Sequence, residues 1–230
     1  SNLIKGRRNV SILLNKDIVL DFGPHTIESL LERDIDPCGI QKVLITHMHL
    51  DHFAGIPELI WYRSIYKAEN KLTIFGPRGI KRSILSLLKL LKTPKPWYTQ
   101  ISKGITYIED KSTDEIEIFK GDHIIQDNGY RIYSDGKIIF YSGDTAYSKD
   151  IVRGARDADI LLHEMTYTDE DEIWAKYWKH STYSSVIKVF NESGSKKLIP
   201  VHLSVKSNEL AIKLSKKIKY IIYPKDFIKV

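Results

Sequence analysis

Apolar positions along the chain fall into short runs, punctuated by turn residues. Asn9-Val10-Ser11-Ile12-Leu13-Leu14 and Ile18-Val19-Leu20 flank the turn Asn15-Lys16-Asp17, and the second run stops at Gly23-Pro24. Residues 42–46 are compact and rich in β-branched side chains, which predicts a buried strand. Residues 72–75 predict another, closed by Gly76-Pro77. Further strands are expected over 106–109, 115–119, 130–134 and 137–142, with Asp135-Gly136 marking a tight hairpin between the last two. The runs at 160–162, 198–201 and 220–223 complete the expected strands. Helical patterns fall between them, at 26–33, 56–66, 79–92, 150–156, 183–191 (ended near Gly194) and 208–217.

The segment 79–92 has the clearest helical face. Ile80, Ile84, Leu87, Leu88 and Leu91 share one side, while Lys81, Arg82, Lys89 and Lys92 lie mostly off it. A helix of this kind covers a sheet with its apolar side, and its basic side suits an anionic surface. Thr93-Pro94-Lys95-Pro96 ends it as a stiff loop. No internal repeat or linker interrupts the alternation of strands and helices. The pattern predicts an α/β fold in one domain spanning residues 1–230, with two sheets and helices outside them.

Composition narrows the function classes. The 230 residues are 42% hydrophobic and 28% charged, which excludes a disordered chain. No apolar run reaches the 18 or so residues of a membrane span, and Ser1 to Arg8 lacks the apolar core of a secretory signal. The lone Cys38 rules out an internal disulfide and a thiolate-rich metal site, and it fits a reducing cytoplasm. A formal net charge of +6 suits an anionic partner as well as it suits solubility.

Histidine carries the chemistry. Three of the eight histidines stand in His47-Met48-His49-Leu50-Asp51-His52, directly after a predicted buried strand. Alternate strand positions share a face, so His47 and His49 converge, with Asp51 and His52 in the turn beyond. Burying four such groups unpaired costs on the order of 1–3 kcal/mol each, and a divalent cation removes that cost. Nitrogen and oxygen donors without thiolate suit zinc, with manganese or iron as alternatives.

Thr46-His47-Met48-His49-Leu50-Asp51-His52 resembles the signature of the metallo-β-lactamase superfamily. Asp122-His123 with Gly129-Tyr130-Arg131-Ile132 is similar to the third ligand segment of ribonuclease Z, the tRNA 3′-end endonuclease. Ser142-Gly143-Asp144-Thr145 matches its bridging-aspartate segment. His163-Glu164-Met165-Thr166 resembles its His-Glu-Ala-Thr element, Lys179-His180-Ser181-Thr182 its catalytic histidine segment, and Val201-His202-Leu203-Ser204 its final ligand.

The resemblance implies an αββα sandwich of two mixed sheets flanked by helices. It implies one ion held by His47, His49 and His123, a second by Asp51, His52 and His202, and Asp144 between them. Water activated by the two cations would hydrolyse a phosphodiester, with Asp51 orienting it and Glu164 and His180 supplying a proton to the leaving oxygen. The implied substrate is tRNA, another RNA or a smaller phosphodiester, with no membrane partner, a cytoplasmic location and a homodimer as in many relatives. His163 is expected to orient a ligand or a carboxylate, and His25 to lie at the surface. Trp174, Tyr177 and Trp178, interleaved with Lys176 and Lys179, suit either packing or stacking on unpaired bases.

Two departures from that family stand out. Ile132 leads through Asp135-Gly136 straight to Asp144, where ribonuclease Z carries a long basic arm. The resemblance leaves the family's opening strand and Gly-Thr loop missing or altered ahead of Arg7. Two other readings therefore stay open, a hydrolase of lactones or thioesters and a non-catalytic metal-binding protein. The paired Glu164 and His180 weigh against the first, and the unbroken ligand set against the second.

Overall fold

A computed structural model describes residues 7–94 and 104–224. The segment ahead of Arg7 and the positions Lys95 and Pro96 of the expected stiff loop lie outside the described residues. The chain divides into two compact units, Arg8–Asp110 and Lys111 onward with Arg7.

The first unit is built on a five-stranded mixed sheet: β1 (Ile12–Leu14), β2 (Ile18–Leu20), β3 (Lys42–Leu44), β4 (Leu72–Gly76) and β5 (Ile105–Glu109), in that order. β1 pairs antiparallel with β2, and the other neighbours are parallel. Parallel strands need crossovers, and helices supply them: α1 (Thr26–Leu31), α2 (Leu50–Phe53), α3 (Ile56–Ile65) and α4 (Ile80–Leu90). Leu59 and Ile60 of α3 and Ile80, Ile84 and Leu88 of α4 join Val19, Val43 and Ile74 of the sheet in one buried core. Ile80, Ile84, Leu87 and Leu88 of the expected face meet the core, but the helix ends at Leu90 rather than residue 92, which leaves Leu91 exposed beyond it. Arg63 of α3 is buried and donates to the carbonyl oxygens of Cys38, Ile40 and Asn70 at 2.8, 3.1 and 2.5 Å. It stitches the loops that precede β3 and β4.

The second unit carries β6 (Ile116–Lys120), β7 (Asn128–Ser134), β8 (Lys137–Tyr141), β9 (Ile160–Glu164) and β10 (Leu198–Val201), in the spatial order β10-β9-β8-β7-β6. β6, β7 and β8 form an antiparallel meander, while β8, β9 and β10 are parallel. The crossovers run through α5 (Lys149–Gly154), then α6 (Glu172–Trp178) with α7 (Tyr183–Ser193); α8 (Val205–Lys217) follows β10. Two mixed sheets with helices are the expected fold class.

Two expectations are corrected. The last helix begins at Val205 rather than residue 208, because Ser204 and Ser207 form a capping box that supplies a further turn. Residues 220–223 form no strand beyond a single parallel bridge, Leu198 to Ile221. Pairing stops there because the Tyr223 hydroxyl turns to Asn208 at 2.8 Å and the next residue, Pro224, has no N–H to offer.

Strand direction places the chemistry. In the first unit, the carboxyl ends of β2, β3 and β4 lie at one edge, and they are followed by Asp21, by Thr46 to His52 and by Pro77-Arg78. In the second, β6, β8, β9 and β10 run in the same sense, so the segments carrying His123, Asp144, Glu164 and His202 all leave from one edge. Ligand sites of open α/β sheets lie at this edge.

Arg63 gives this architecture a stability test. Arg63→Met should destabilise the protein by about 3 kcal/mol in urea unfolding, since it leaves buried carbonyls without their charged donor.

Candidate active site

In the first unit the side chains are organised by Asp21, buried at the end of β2 in a left-handed conformation (φ 54°). Its carboxylate accepts from the Thr46 N–H at 2.7 Å, from the Thr46 hydroxyl at 3.0 Å and from His52 Nδ1 at 2.7 Å. That last bond fixes the His52 tautomer and leaves Nε2, 3.7 Å from Asp51 Oδ2, as the lone-pair nitrogen. The Thr46 hydroxyl gives its proton to Asp21 and receives one from His47 Nδ1 at 2.9 Å. His47 Nε2 then faces His49 Nδ1 at 2.9 Å, and the His47 and His52 rings lie 4.1 Å apart. His47 and His52 are fully buried. His49 caps α2, which puts Asp51 and His52 in its first turn. Gly23 lets this turn pack closely, since a β-carbon there would lie 2.2 Å from the Asp51 carbonyl oxygen.

In the second unit the organiser is Glu164, buried at the end of β9. Its Oε1 accepts from His180 Nδ1 at 2.8 Å, from the Ser181 N–H at 3.0 Å and from the Thr145 N–H at 3.1 Å. Its Oε2 accepts from the Thr166 N–H at 2.9 Å and from the Thr166 hydroxyl at 2.8 Å. Burial alone pushes this carboxyl up; the His180 charge and its hydrogen bond pull it below the ordinary carboxylate value. Burial likewise opposes charge on His180, but Glu164, with Asp144 behind it, overrides this and raises the imidazole to about 9. Glu164 is therefore an ionised acceptor and His180 the proton carrier.

Thr166 extends the network. Its hydroxyl proton goes to Glu164, so His202 Nδ1, at 2.7 Å, donates to the hydroxyl oxygen. His202 Nε2 is left to face Asp144 Oδ2 at 3.4 Å. His202 holds a left-handed backbone (φ 53°), a strained conformation of the kind that clusters at functional sites. Asp144 follows Gly143 (φ 62°), where a β-carbon would lie 2.4 Å from Asp127 Oδ1, and the Asp144 N–H donates to Asp127 Oδ2 at 3.1 Å. His123 Nδ1 meets the Lys179 carbonyl oxygen at 3.1 Å, and its ring lies 5.0 Å from that of His180.

Two three-donor clusters capable of holding a cation lie wholly in this unit, His123 with Asp144 and His180, and Glu164 with His180 and His202. Both share His180, which as the charged partner of Glu164 offers no lone pair, and the Glu164 carboxylate is already saturated, so His123, Asp144 and His202 are left as the candidate donors of this unit. The donors of both units are nitrogen and carboxylate oxygen, a chemistry that fits zinc, manganese or iron.

Each candidate ligand from the sequence follows the carboxyl end of a strand of its own unit, while His180 comes from the link between α6 and α7 to meet Glu164. The sequence reading assigned no role to Asp21, Thr46, Asp127 or the Thr166 hydroxyl. A buried aspartate ending β2 in Asp21-Phe22-Gly23-Pro24 reads from sequence only as turn chemistry. His163 contacts the main chain of Glu164, its Nδ1 lying 2.8 Å from that residue's carbonyl oxygen, and burial lowers its pKa. It supports the Glu164 backbone rather than orienting a ligand side chain. His25 is exposed beside Glu28 at 3.2 Å. Trp174, Tyr177 and Trp178 are exposed rather than packed, with Tyr177 and Trp178 ring centroids 4.9 Å apart.

Residues 17–203 match the model of the beta-lactamase superfamily domain. The chain belongs to that superfamily. The matched span holds every donor from Asp21 to His202. A ribonuclease Z from Bacillus subtilis (strain 168) is 28% identical over 255 residues, spanning 89% of this chain and 81% of that protein. Another from Streptococcus pyogenes serotype M3 is 29% identical over 267 residues, spanning 87% and 85%. The crystal structure of human tRNase Z, short form, shares the fold with a TM-score of 0.71 at 22% identity, covering 86% of each chain. The branch that the motifs resemble is thus the branch of these relatives.

Two outcomes follow from this geometry. Thr166→Val should weaken divalent-cation binding about 10- to 100-fold, the usual effect of losing a group that orients a candidate ligand, while Thr166→Ser restores it; competition with a chromophoric chelator reads both. In metal-free protein, the His180–Glu164 pair stabilises the fold fully below the ordinary histidine value near 6.5, and loses that contribution as pH rises through about 9. Thermal melts of wild type and His180→Gln should therefore converge between those two pH values.

Proposed function

We propose that this protein is a metal-dependent phosphodiesterase of the ribonuclease Z type, cleaving RNA at a phosphodiester of a tRNA 3′ trailer or a comparable strand. The observation that carries it is the Glu164–His180 pair, a charged imidazole held by a saturated carboxylate beside Asp144 and His202. A thioester expels a thiolate that needs no proton, whereas the alkoxide leaving a phosphodiester does, and similarity to ribonuclease Z supports a phosphodiester over a lactone.

The proposed ligands are His47, His49 and His123 for one cation, and Asp51, His52 and His202 for the other, with Asp144 shared. The tautomers of His47, His52 and His202 support this assignment, because Thr46, Asp21 and Thr166 each occupy Nδ1 and leave Nε2 for coordination. When bound, two divalent cations lower the pKa of the attacking water and offset charge on the phosphoryl oxygens. Zinc is the proposed metal. Asp51 is placed to orient the attacking water. As the phosphorus–oxygen bond breaks, the His180 proton passes to the leaving oxygen, and Glu164 steadies the imidazolium beforehand and keeps its donor nitrogen fixed.

The exposed faces of Trp174, Tyr177 and Trp178, on the helix that runs into His180, offer stacking surfaces for unpaired bases. We place the whole chain in this reading as one cytoplasmic hydrolase domain that pairs as a homodimer. Among the described residues no helix is long and apolar enough to cross a membrane.

His180→Ala should lower turnover of both a precursor tRNA and an aromatic phosphodiester by about 10²–10⁴-fold, the usual worth of a positioned acid, with bound metal unchanged by elemental analysis. Loss of metal in that variant would make His180 structural. Activity on a lactone in place of both phosphodiesters would replace the proposal with the other hydrolase reading.

A further inference from the structure

The outer face of α4 offers a surface that the chemistry above does not use. Arg78, Lys81, Arg82, Lys89 and Lys92 are exposed. On a helix of 3.6 residues per turn, Lys81, Arg82 and Lys89 fall within an arc of about 100° and span roughly 12 Å, with Lys92 just past the helix end. Among the described residues none of the five side chains has a carboxylate partner. Some cations elsewhere on the surface do, as in Lys176–Glu172, Lys179–Asp122, Lys196–Asp159 and Lys206–Asp171. The one acid beside the stripe, Glu109, is spent on the main chain, accepting from the Gly79 and Lys81 N–H groups at 2.9 and 3.1 Å. An open groove of about 490 Å³ lies along Lys81, Arg82, Leu85, Ser86 and Lys89.

Direction gives the stripe its meaning. β3 and β4 are parallel neighbours, so Arg78 and the start of α4 leave the sheet at the edge from which His47 to His52 leave β3. The cations begin beside that edge and run away from it along the helix. At about 3.4 Å per nucleotide along a strand, the stripe matches roughly three to four steps of a sugar-phosphate backbone. A lipid surface fits less well, because a helix that lies in a bilayer interface inserts its apolar side, and Ile80, Ile84 and Leu88 are committed to the core.

We propose that the outer face of α4 docks the phosphate backbone of the RNA substrate, with Lys81, Arg82 and Lys89 as its principal contacts. The inference rests on the RNA reading above. In the second unit, β7 and β8 join through the two exposed residues Asp135-Gly136, a turn too short to hold a nucleic-acid strand. Backbone affinity is then drawn from a helix of the fold itself.

The test compares the zinc-loaded wild type, the triple variant Lys81→Gln/Arg82→Gln/Lys89→Gln, and a control of equal charge loss on α8, Lys213→Gln/Lys216→Gln/Lys217→Gln. Each is assayed on a precursor tRNA over a range of salt, on a small aromatic phosphodiester and for binding to phosphatidylglycerol vesicles. The α4 variant should bind the RNA on the order of 50-fold more weakly at physiological salt, with a salt dependence shallower by about three counterions. Its turnover of the small ester, and the RNA binding of the α8 control, should match wild type. RNA binding and salt slope unchanged in the α4 variant would overturn the docking surface while leaving the phosphodiesterase reading intact. Equal weakening in both variants would overturn it in favour of net charge, and loss of vesicle binding alone in favour of a membrane contact. A wild type that hydrolyses the small ester yet neither binds nor cuts RNA would remove the docking surface together with the RNA substrate.

Discussion

A carboxylate taken out of water must be repaid by donors, and the second unit of this molecule is arranged around one such group. Glu164 receives five hydrogen bonds from three separate segments: the turn after β8, its own strand end, and the link between α6 and α7. Hydrogen bonds to a charged group are each worth about 1.5–3 kcal/mol, so the anion holds the three segments in register while they keep it ionised. The charge on His180 and the tautomer of His202 are both consequences. Asp21 has the same position in the first unit, where one buried carboxylate sets Thr46, and through it His47, and fixes His52 directly. Each set of candidate ligands is thus oriented by an acid that is not itself one of them.

Much of this was legible beforehand because strands and their ends leave strong marks. The apolar runs at β2, β3, β4, β9 and β10 were visible as runs, and Asp135-Gly136 as a turn. The histidine clusters stood out because polar groups so dense at the end of a buried strand have no packing purpose. The organising residues were less visible. Asp21 sits in a sequence that looks like a turn, and Thr166 becomes informative only when β10 brings His202 to its hydroxyl. Non-local hydrogen bonds of this kind leave no periodicity to read. The terminal segment at 220–223 misled for the opposite reason. Its composition suits a strand, but side-chain bonds of Tyr223 and the imino nitrogen of Pro224 end the pairing after one bridge.

The architecture separates reactivity from recognition. All the proposed reactive groups except His180 follow the carboxyl ends of strands, where backbone position is set by the sheet, and His180, in the link between α6 and α7, is fixed by the buried Glu164. The features suited to holding an extended polyanion lie on exposed helix faces, α4 with its lysines and α6 with its aromatic rings, where a substitution disturbs no core. Substrate preference can therefore drift over helix surfaces while the chemistry at the strand ends is conserved by the cost of unsatisfying a buried acid.

The β7–β8 hairpin bears on how such a molecule could be remodelled. Its strands stay in register up to the last pair, Ser134 with Lys137, and the turn between them is exposed. A loop spliced in at that point would extend outward from an already closed ladder, and lengthening a surface loop costs only about 0.6 kcal/mol for each doubling. The hairpin is thus a natural port for grafting an appendage, whether acquired by descent or added by design.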